Sequence, residues 1–485
     1  MKNKILYISS IILGVYFLIR LIDQSQMISA FPLDFTNDWS SYIAQLHFLK
    51  ECGFHNFCPY WYNGFESFLI TAPGWMFFVL PIYLLTNNIL LSSFISLIVL
   101  YILGFVFIYL LGRNEQISKA KTLFFFLFFF GNAIAIGNFV RLGRIVSLFG
   151  FICFLALALI IFYYRDKKLD KKFLLFIPTY SILLISHQQE SVLGSFLILS
   201  LFLVNKERIK IIIFSLISVL LSSFWLVPFI LNSWNTSLFG YEQSNLLNLL
   251  LENNIYLWTN IAATLISIGV FVMFYFYWKE NKKELLFFSP VLVLNFLFMF
   301  RLISFIPILK HISPDPFILF FLFFILFFLT KIRFKNNLKI LIWSIVLFVA
   351  VINVTVSHYN TPYFTPYQEL EIETLSLLPE IEENYIMIGA PGVTSYSKAY
   401  YSYGAIYHNL RSSYGWYNQI VSDEYVNIFR GLDQVYYEGD CVEFNDRLKR
   451  ANATEVLFYG FDCDKINSCG LKEKDSKKNA CLYRR

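Results

Sequence analysis

The sequence predicts an all-α, polytopic membrane bundle with a small α/β domain at its C-terminal end. Three observations carry that reading. Of 485 residues, 57% are hydrophobic and only 15% charged, against about 25% charged in an ordinary soluble domain. Apolar stretches near the length of about 20 residues that a helix needs to cross a bilayer recur as far as residue 357. Beyond them the phenylalanine runs stop, and Pro, Tyr and charged residues take over.

The 55 Phe and 31 Tyr exceed what one soluble core uses, and a run such as Phe124 to Phe130 aggregates unless lipid or protein covers it. The formal charge of +6 is small for this length. Its Lys and Arg sit in short clusters between apolar stretches, so they report topology and argue against a nucleic-acid partner.

Taken in order, residues 1–25 place Lys2 and Lys4 before an apolar stretch. No small-x-small cleavage site follows and Arg20 interrupts the end, which favours an uncleaved first span with a cytoplasmic N-terminus over a signal peptide. Basic clusters follow at 113–121 (RNEQISKAK), 165–172 (RDKKLDKK), 205–210 (NKERIK), 279–284 (KENKKE) and 331–339 (KIRFKNNLK). The positive-inside rule assigns all five to the cytoplasm. The spans between them fall at 89–111, 122–139, 145–164, 173–186, 191–204, 211–231, 257–278, 285–300, 317–330 and 340–357. With the first helix they make about eleven crossings. The pair at 173–186 and 191–204 is short, so its shared turn is expected below the outer surface.

Parity decides the segment 67–85 (SFLITAPGWMFFVLPIYLL), because counting it as a crossing puts RNEQISKAK outside. It reads as a re-entrant or juxtamembrane element, and Pro73, Gly74 and Pro81 fit irregular backbone covered by protein. A kinked ordinary span is the alternative. The expected organisation is a membrane domain over 1–357 with a large outside loop at 23–88, then an extracytoplasmic domain over 358–485.

Cysteines supply an independent check, since disulfides belong to the oxidising side. Cys52, Cys58, Cys441, Cys463, Cys469 and Cys481 all fall in outside segments, and Cys153 lies within a span. Cys52 with Cys58, and the C-terminal four among themselves, is the economical pairing. Zinc is the rival, but neither CxxC nor finger spacing occurs. Asn235 and Asn452 head glycosylation sequons in outside segments.

In the C-terminal domain EIETLSLLPEIEE reads as a helix, and YIMIGAP and EVLFYGF as short buried strands. Tyr400, Tyr401, Tyr403, Tyr407, Tyr414, Trp416 and Tyr417 form an aromatic stretch, suited to packing or to stacking on sugar faces. The lysine-rich segment 472–478 reads as a solvated surface.

Ionisable residues near the outer boundary come from separate segments: Asp34, Asp38, His47 and Glu66 in the first loop, Arg141 and Arg144, His187 and Glu190 in HQQE, then Arg301, His311 and Asp315. Such groups are expensive at membrane depth and are functional candidates by default. Any one of them also has a plain structural role open to it, as a snorkelling or capping residue. Asp38, for instance, is placed to cap the helix WSSYIAQLHFLKE.

On LDFTNDWSSYIAQLHFLK after the first helix, CPYWYNGFESFLITAPGWMFFVLPIYLL, ILLISHQQESVL and SSFWLVPFI, the chain resembles the GT-C membrane glycosyltransferases. Within them it is similar to the 6-pyruvoyl-tetrahydropterin-synthase-related membrane domain family, which is dolichyl-phosphate-mannose transferase-like. The resemblance covers most of the membrane body. It implies a GT-C-like fold and a sugar moved from a polyprenyl-phosphate-linked donor to a glycan or protein acceptor on the extracytoplasmic face. Asp38 or Asp34 is then the acidic catalytic residue, and Glu66, Arg141, Arg144, His187, Glu190 and Arg301 bind substrate. A divalent cation, Mg2+ or Mn2+, is the cofactor such a site would take, although no Asp-x-Asp or Glu-x-Asp stands in the first loop with Asp38. The other classes weighed are a transporter or lipid-carrier flippase, and a non-catalytic receptor or assembly factor.

The topology is directly testable. In intact cells, an impermeant thiol reagent should label Ser476→Cys but not Gln116→Cys, and labelling of both would remove the re-entrant reading of 67–85.

Overall fold

The computed structural model describes residues 2–33, 38–233, 246–251, 257–334, 336–393 and 397–485. Asp34 and the sequon at Asn235 lie outside them. In chain order the helices are α1 (Lys2–Gln24), α2 (Trp39–Glu51), α3 (Gly74–Thr86), α4 (Ile89–Asn114), α5 (Lys119–Phe130) and α6 (Ala133–Ala135), which continues as a π turn over Ile136–Arg141. Then come α7 (Ile145–Tyr164), α8 (Phe176–Ser186), α9 (Gln188–Val204), α10 (Arg208–Leu221), α11 (Ser223–Ser233), α12 (Leu246–Leu251), α13 (Leu257–Glu280), α14 (Leu285–Met299), α15 (Pro314–Lys331) and α16 (Asn336–Asn360). The C-terminal region holds α17 (Glu369–Leu377), α18 (Ser397–His408), α19 (Asp423–Phe429), α20 (Leu432–Tyr437) and α21 (Cys441–Arg450). Strands are β1 (Phe57–Cys58), β2 (Phe65–Glu66), β3 (Tyr385–Gly389), β4 (Glu455–Tyr459), β5 (Lys472–Ser476) and β6 (Ala480–Arg484).

The chain forms two compact units. One comprises Met1–Gln24, Leu97–Leu226 and Leu238–Tyr363, and the other Ser25–Ser96, Val227–Ser237 and Phe364–Arg485. The sequence alone separated the first loop from the C-terminal domain; in the structure they are parts of one unit.

The first unit is the helical body. Among the described residues six helices are long and apolar enough to cross a membrane, or up to eight if two bent pairs count as spans. The expected eleven differ for two reasons. The segments around 173–186, 191–204 and 285–300 form helices of 11, 17 and 15 residues, short of the roughly 20 needed. The spans at 122–139 and 211–231 are broken by 47° and 74°. Asn132 makes the first break: its amide donates to the Phe128 and Phe129 carbonyls, ending α5, while its oxygen accepts from the Ile134 and Ala135 N–H groups, starting α6. One side chain thus caps two helices.

The core of this unit is aromatic. α15 buries Phe317, Phe320, Phe321, Phe323, Phe324, Phe327 and Phe328 completely. The Phe323 ring meets Phe125 and Phe129 of α5, and Phe154 and Phe162 of α7, with centroids 5.3–6.4 Å apart. Dispersion and edge contacts of this kind hold helices together where lipid removes the hydrophobic drive between them. Four basic loops meet at one end of the unit. Arg165 pairs with Glu115 at 3.1 Å and Glu284 at 3.3 Å, and Lys331 reaches Glu115 at 3.2 Å. RNEQISKAK, RDKKLDKK, KENKKE and KIRFKNNLK therefore share an end, as their common sign suggested.

The second unit contains α2, α3 and a four-stranded sheet in the order β3-β4-β6-β5. β3 and β4 are parallel and joined through α18 to α21, while β6 runs antiparallel to both β4 and β5. α3 has 13 residues with Pro81 inside, about 20 Å at 1.5 Å per residue, too short to span. The lysine-rich segment 472–478 is mostly strand β5 at the sheet edge, where Lys474 pairs at 2.8 Å with the buried carboxylate of Glu455. Lysines on such an edge oppose further strand addition. The Asn63 amide donates to Tyr425 and to the Ala451 carbonyl, both at 2.8 Å, stitching the first loop to the C-terminal part.

Three disulfides occur, Cys52–Cys58, Cys441–Cys469 and Cys463–Cys481, and Cys153 is a buried free thiol in α7. The longer two each stabilise by roughly 3 kcal/mol through loop closure. Peptide mapping without reductant should return these three pairs, with Cys153 alone alkylated after unfolding; a Cys441–Cys463 peptide would contradict the fold.

Candidate functional site

At the end of the first unit opposite the Glu115 network, α7, α9 and α15 begin. Their directions agree: Arg165 and Lys331 close α7 and α15 at the network. Asn205, just past α9, donates to the Tyr164 carbonyl at the end of α7. Three N-termini therefore share one end, and their unbonded N–H groups and aligned peptide dipoles concentrate partial positive charge there.

Local sequence explains these starts. Ser313-Pro314-Asp315 places an N-cap type, a proline at the first helical position and an acid in the first turn. Ahead of α7, the π turn carries the buried Arg141 at its last position, and Gly143 at φ +68° turns the chain from it into the helix. Between α8 and α9, His187 is extended, so the chain changes direction at that residue.

Side chains then link the three ends. Arg144 Nη1 donates to Asn138 Oδ1 at 2.6 Å and pairs with Asp315 Oδ2 at 3.1 Å. Ser147 Oγ donates to Glu190 Oε1 at 2.5 Å, and the other oxygen, Oε2, contacts His187 Nδ1. Ser313 Oγ donates to Gln189 Oε1 at 2.9 Å. Glu190 is fully buried, yet both its oxygens are engaged. Gly150 makes room for it, because a Cβ there would lie 3.1 Å from Oε2.

Of the residues singled out in the sequence, Arg144 meets Asp315 and His187 meets Glu190. Arg301 has a left-handed backbone, φ +61°, and donates to Asn248 at 3.0 Å. Glu66 is exposed on the β1–β2 hairpin. Sequence reasoning missed Ser147, Gln189 and Ser313. The Ser-Pro-Asp helix start was the one readable signal, since the other two are neutral residues whose role exists only through their partners.

Asp38 belongs to the second unit. Its side chain makes no capping bond to α2. It faces Lys398 of α18, whose burial lowers the ammonium pKa while Asp38 raises it, and Tyr417, whose phenol is pushed up by burial first and by Asp38 second. Tyr417 adopts φ +60° and shares a 2.8 Å hydrogen bond with Ser41. Lys398 Nζ lies 5.6 Å from the Trp416 ring centre. Acid, cation and aromatic rings are thus together, a combination suited to a hydroxyl-rich ligand. Lys398 carries no sequence signal, being 360 positions from Asp38. Tyr400 and Tyr401, in contrast, are buried in the packing, where the Tyr401 hydroxyl accepts from the Met387 N–H.

Among the described residues no three His, Cys, Asp or Glu side chains gather as a metal set. The expected Mg2+ or Mn2+ finds no such cage among them.

No protein-family model matches the chain, and neither does any curated protein. Solved structures do. The archaeal oligosaccharyltransferase AglB from Archaeoglobus fulgidus, in complex with an inhibitory peptide and a dolichol-phosphate, aligns over 92% of this chain and 69% of its own at 9% identity, TM-score 0.55. The arabinofuranosyltransferase AftD from Mycobacteria aligns over 97% of this chain at 12% identity, TM-score 0.61. This chain spans 39% of AftD's length. Both are GT-C glycosyltransferases, so the fold is GT-C-like.

His47, another sequence candidate, is a buried residue of α2 and its imidazole is pushed down to about 4 by desolvation. The unfolded imidazole protonates near 6.5, so its stabilisation is complete above that pH and is lost as pH falls toward 4. The loss is about 3 kcal/mol at most. Thermal unfolding at pH 7 and pH 4.5 should show that slope in the parent, and a markedly smaller one in His47→Phe.

Proposed function

We propose that this protein is a membrane glycosyltransferase that moves a sugar from a polyprenyl-phosphate-linked donor to an acceptor on the extracytoplasmic face. The observation that carries the reading is the gathering of three parallel helix N-termini around Arg144. Backbone N–H groups, dipoles and a guanidinium suit a phosphate group. The segment leading to Ser313 supports a lipid-borne donor, because Phe305 and Ile308 are 83% and 65% exposed there. The GT-C-like fold supports it further, since AglB was solved with a dolichol-phosphate.

The chemistry assigned is inverting displacement at the anomeric carbon. The acceptor oxygen attacks, the bond from carbon to phosphate oxygen breaks, and the acceptor proton passes to a first-loop carboxylate, Asp38 with Asp34 as its neighbour in sequence. Arg144 and Arg141 hold the phosphate. Trp416 and Tyr417 beside Asp38 offer ring faces to the sugar or the acceptor.

A second reading, a lipid-carrier flippase or transporter, draws on the two bent helix pairs, since such proteins use broken helices at their binding sites. Sugar transfer from a panel of labelled polyprenyl-phosphate sugars, assayed in membranes, separates the two. Asp38→Asn should lower transfer about 100-fold, the usual loss of general-base catalysis. Arg144→Lys should mainly raise the donor KM, because the charge stays and the planar fork goes. A parental chain that is inert with every donor, yet moves labelled lipid between leaflets of a liposome, would replace the transferase reading with the second.

A further inference from the structure

His187 and Glu190 make an arrangement that phosphate binding alone does not require. Glu190 is a carboxylate with no exposed surface, and it approaches His187 Nδ1 through one oxygen while Ser147 fixes the other. Gly150 is shaped to admit it. A buried carboxylate so held does for a histidine what a triad acid does: it sets the ring orientation through Nδ1 and leaves Nε2 directed elsewhere. The ring itself keeps 19% of its side-chain surface exposed, and Nε2 has no hydrogen-bond partner among the described residues. His187 also stands at the start of α9, one of the three helices whose N-termini meet.

We propose that His187, clamped by Glu190 and Ser147, is the acid that protonates the departing phosphate. The inference rests on the transferase reading and adds a residue and a step to it. When the bond between sugar carbon and phosphate oxygen breaks, the electron pair stays on that oxygen, and the phosphodiester monoanion becomes a phosphomonoester whose second pKa is about 6. The Nε2 proton moves to the phosphate, and imidazolium becomes imidazole. As a side-chain type, imidazole is close in acidity to a phosphomonoester, the condition under which proton transfer between such groups is efficient. The acceptor's proton goes to the separate base, so charge and protons balance. Glu190 and Ser147 are positioning residues in this scheme.

Other charged groups sit on elements packed against α9. They are Arg141 and Arg144 ahead of α7, Asp315 in the first turn of α15, and Arg301 and His311 between α14 and α15. Arg144 is paired with Asp315 and Arg301 with Asn248, which leaves Glu190 as the carboxylate in contact with His187.

Two measurements test the proposal. In the first, His187→Gln should lower kcat about 100-fold with donor KM changed less than threefold, and should abolish the alkaline limb of the kcat profile. Glu190→Gln should move that limb to lower pH with a smaller loss. The second needs no turnover: diethyl pyrocarbonate should carbethoxylate His187 in the parental protein, read by peptide mass mapping, and a polyprenyl monophosphate without sugar should protect it where inorganic phosphate at the same concentration protects less. Parental kcat and an intact alkaline limb in His187→Gln would overturn the assignment. So would a His187 that stays unmodified, or whose modification ignores saturating polyprenyl monophosphate. A parental chain inert with all donors but protected at His187 would overturn the transferase step while keeping the phosphate contact.

Discussion

The arrangement depends on one constraint, that a carboxylate removed from water has to be hydrogen-bonded by its own protein. Glu190 meets it with Ser147 on one oxygen and His187 on the other. That requirement binds the start of α9 to the start of α7, and Gly150 exists as the space the side chain fills. With Gln189 reaching Ser313, and Arg144 reaching Asp315, the same end of α15 is drawn in. Convergence of three positive helix ends is electrostatically unfavourable without anions nearby. Glu190 and Asp315 supply two negative charges there.

At the other end of the helical unit the same logic works with opposite dipoles. Helix C-termini carry partial negative charge and favour cations, and Arg165 and Lys331 close α7 and α15 over Glu115 and Glu284. Between the two polar ends the contacts are almost purely aromatic. Phe323 and its neighbours give no geometric preference for sliding along the axis comparable to a hydrogen bond, so the polar ends set the register. A phenylalanine core and charged clamps are therefore complementary parts of one solution.

The second unit is organised around a different problem. A small sheet of four short strands has little core, and it gains one by packing the first loop into the C-terminal region. Trp61 is fully buried, and Gly415 gives it space, since a Cβ at 415 would lie 2.6 Å from the indole. Asp38, Ser41, Lys398 and Tyr417 come together as a by-product of that packing, which joins Asp38 and Tyr417 to Ser41 and Lys398, two positions without a sequence signal, in a polar cluster beside tryptophan.

Composition and periodicity were enough to read a membrane bundle, the cysteines that pair, the strands at YIMIGAP and EVLFYGF and the grouping of basic loops at one end, because hydropathy, charge and alternation are local properties. Their count of eleven crossings is not confirmed by the six to eight helices long and apolar enough among the described residues, and a run of apolar residues does not reveal that Asn132 will cap two helices and bend the span. They named Arg144, His187, Glu190, Asp315 and Asp38 as ionisable residues near one boundary, because charge at membrane depth is visible in a single sequence. Which of these pair, and with which neutral partners, was decided only by tertiary structure. Ser147 and Glu190 are 43 positions apart, and Asp38 and Lys398 are 360. Such contacts depend on helix direction, packing depth and the absence of one methyl group at Gly150, none of which is a property of the residues one at a time.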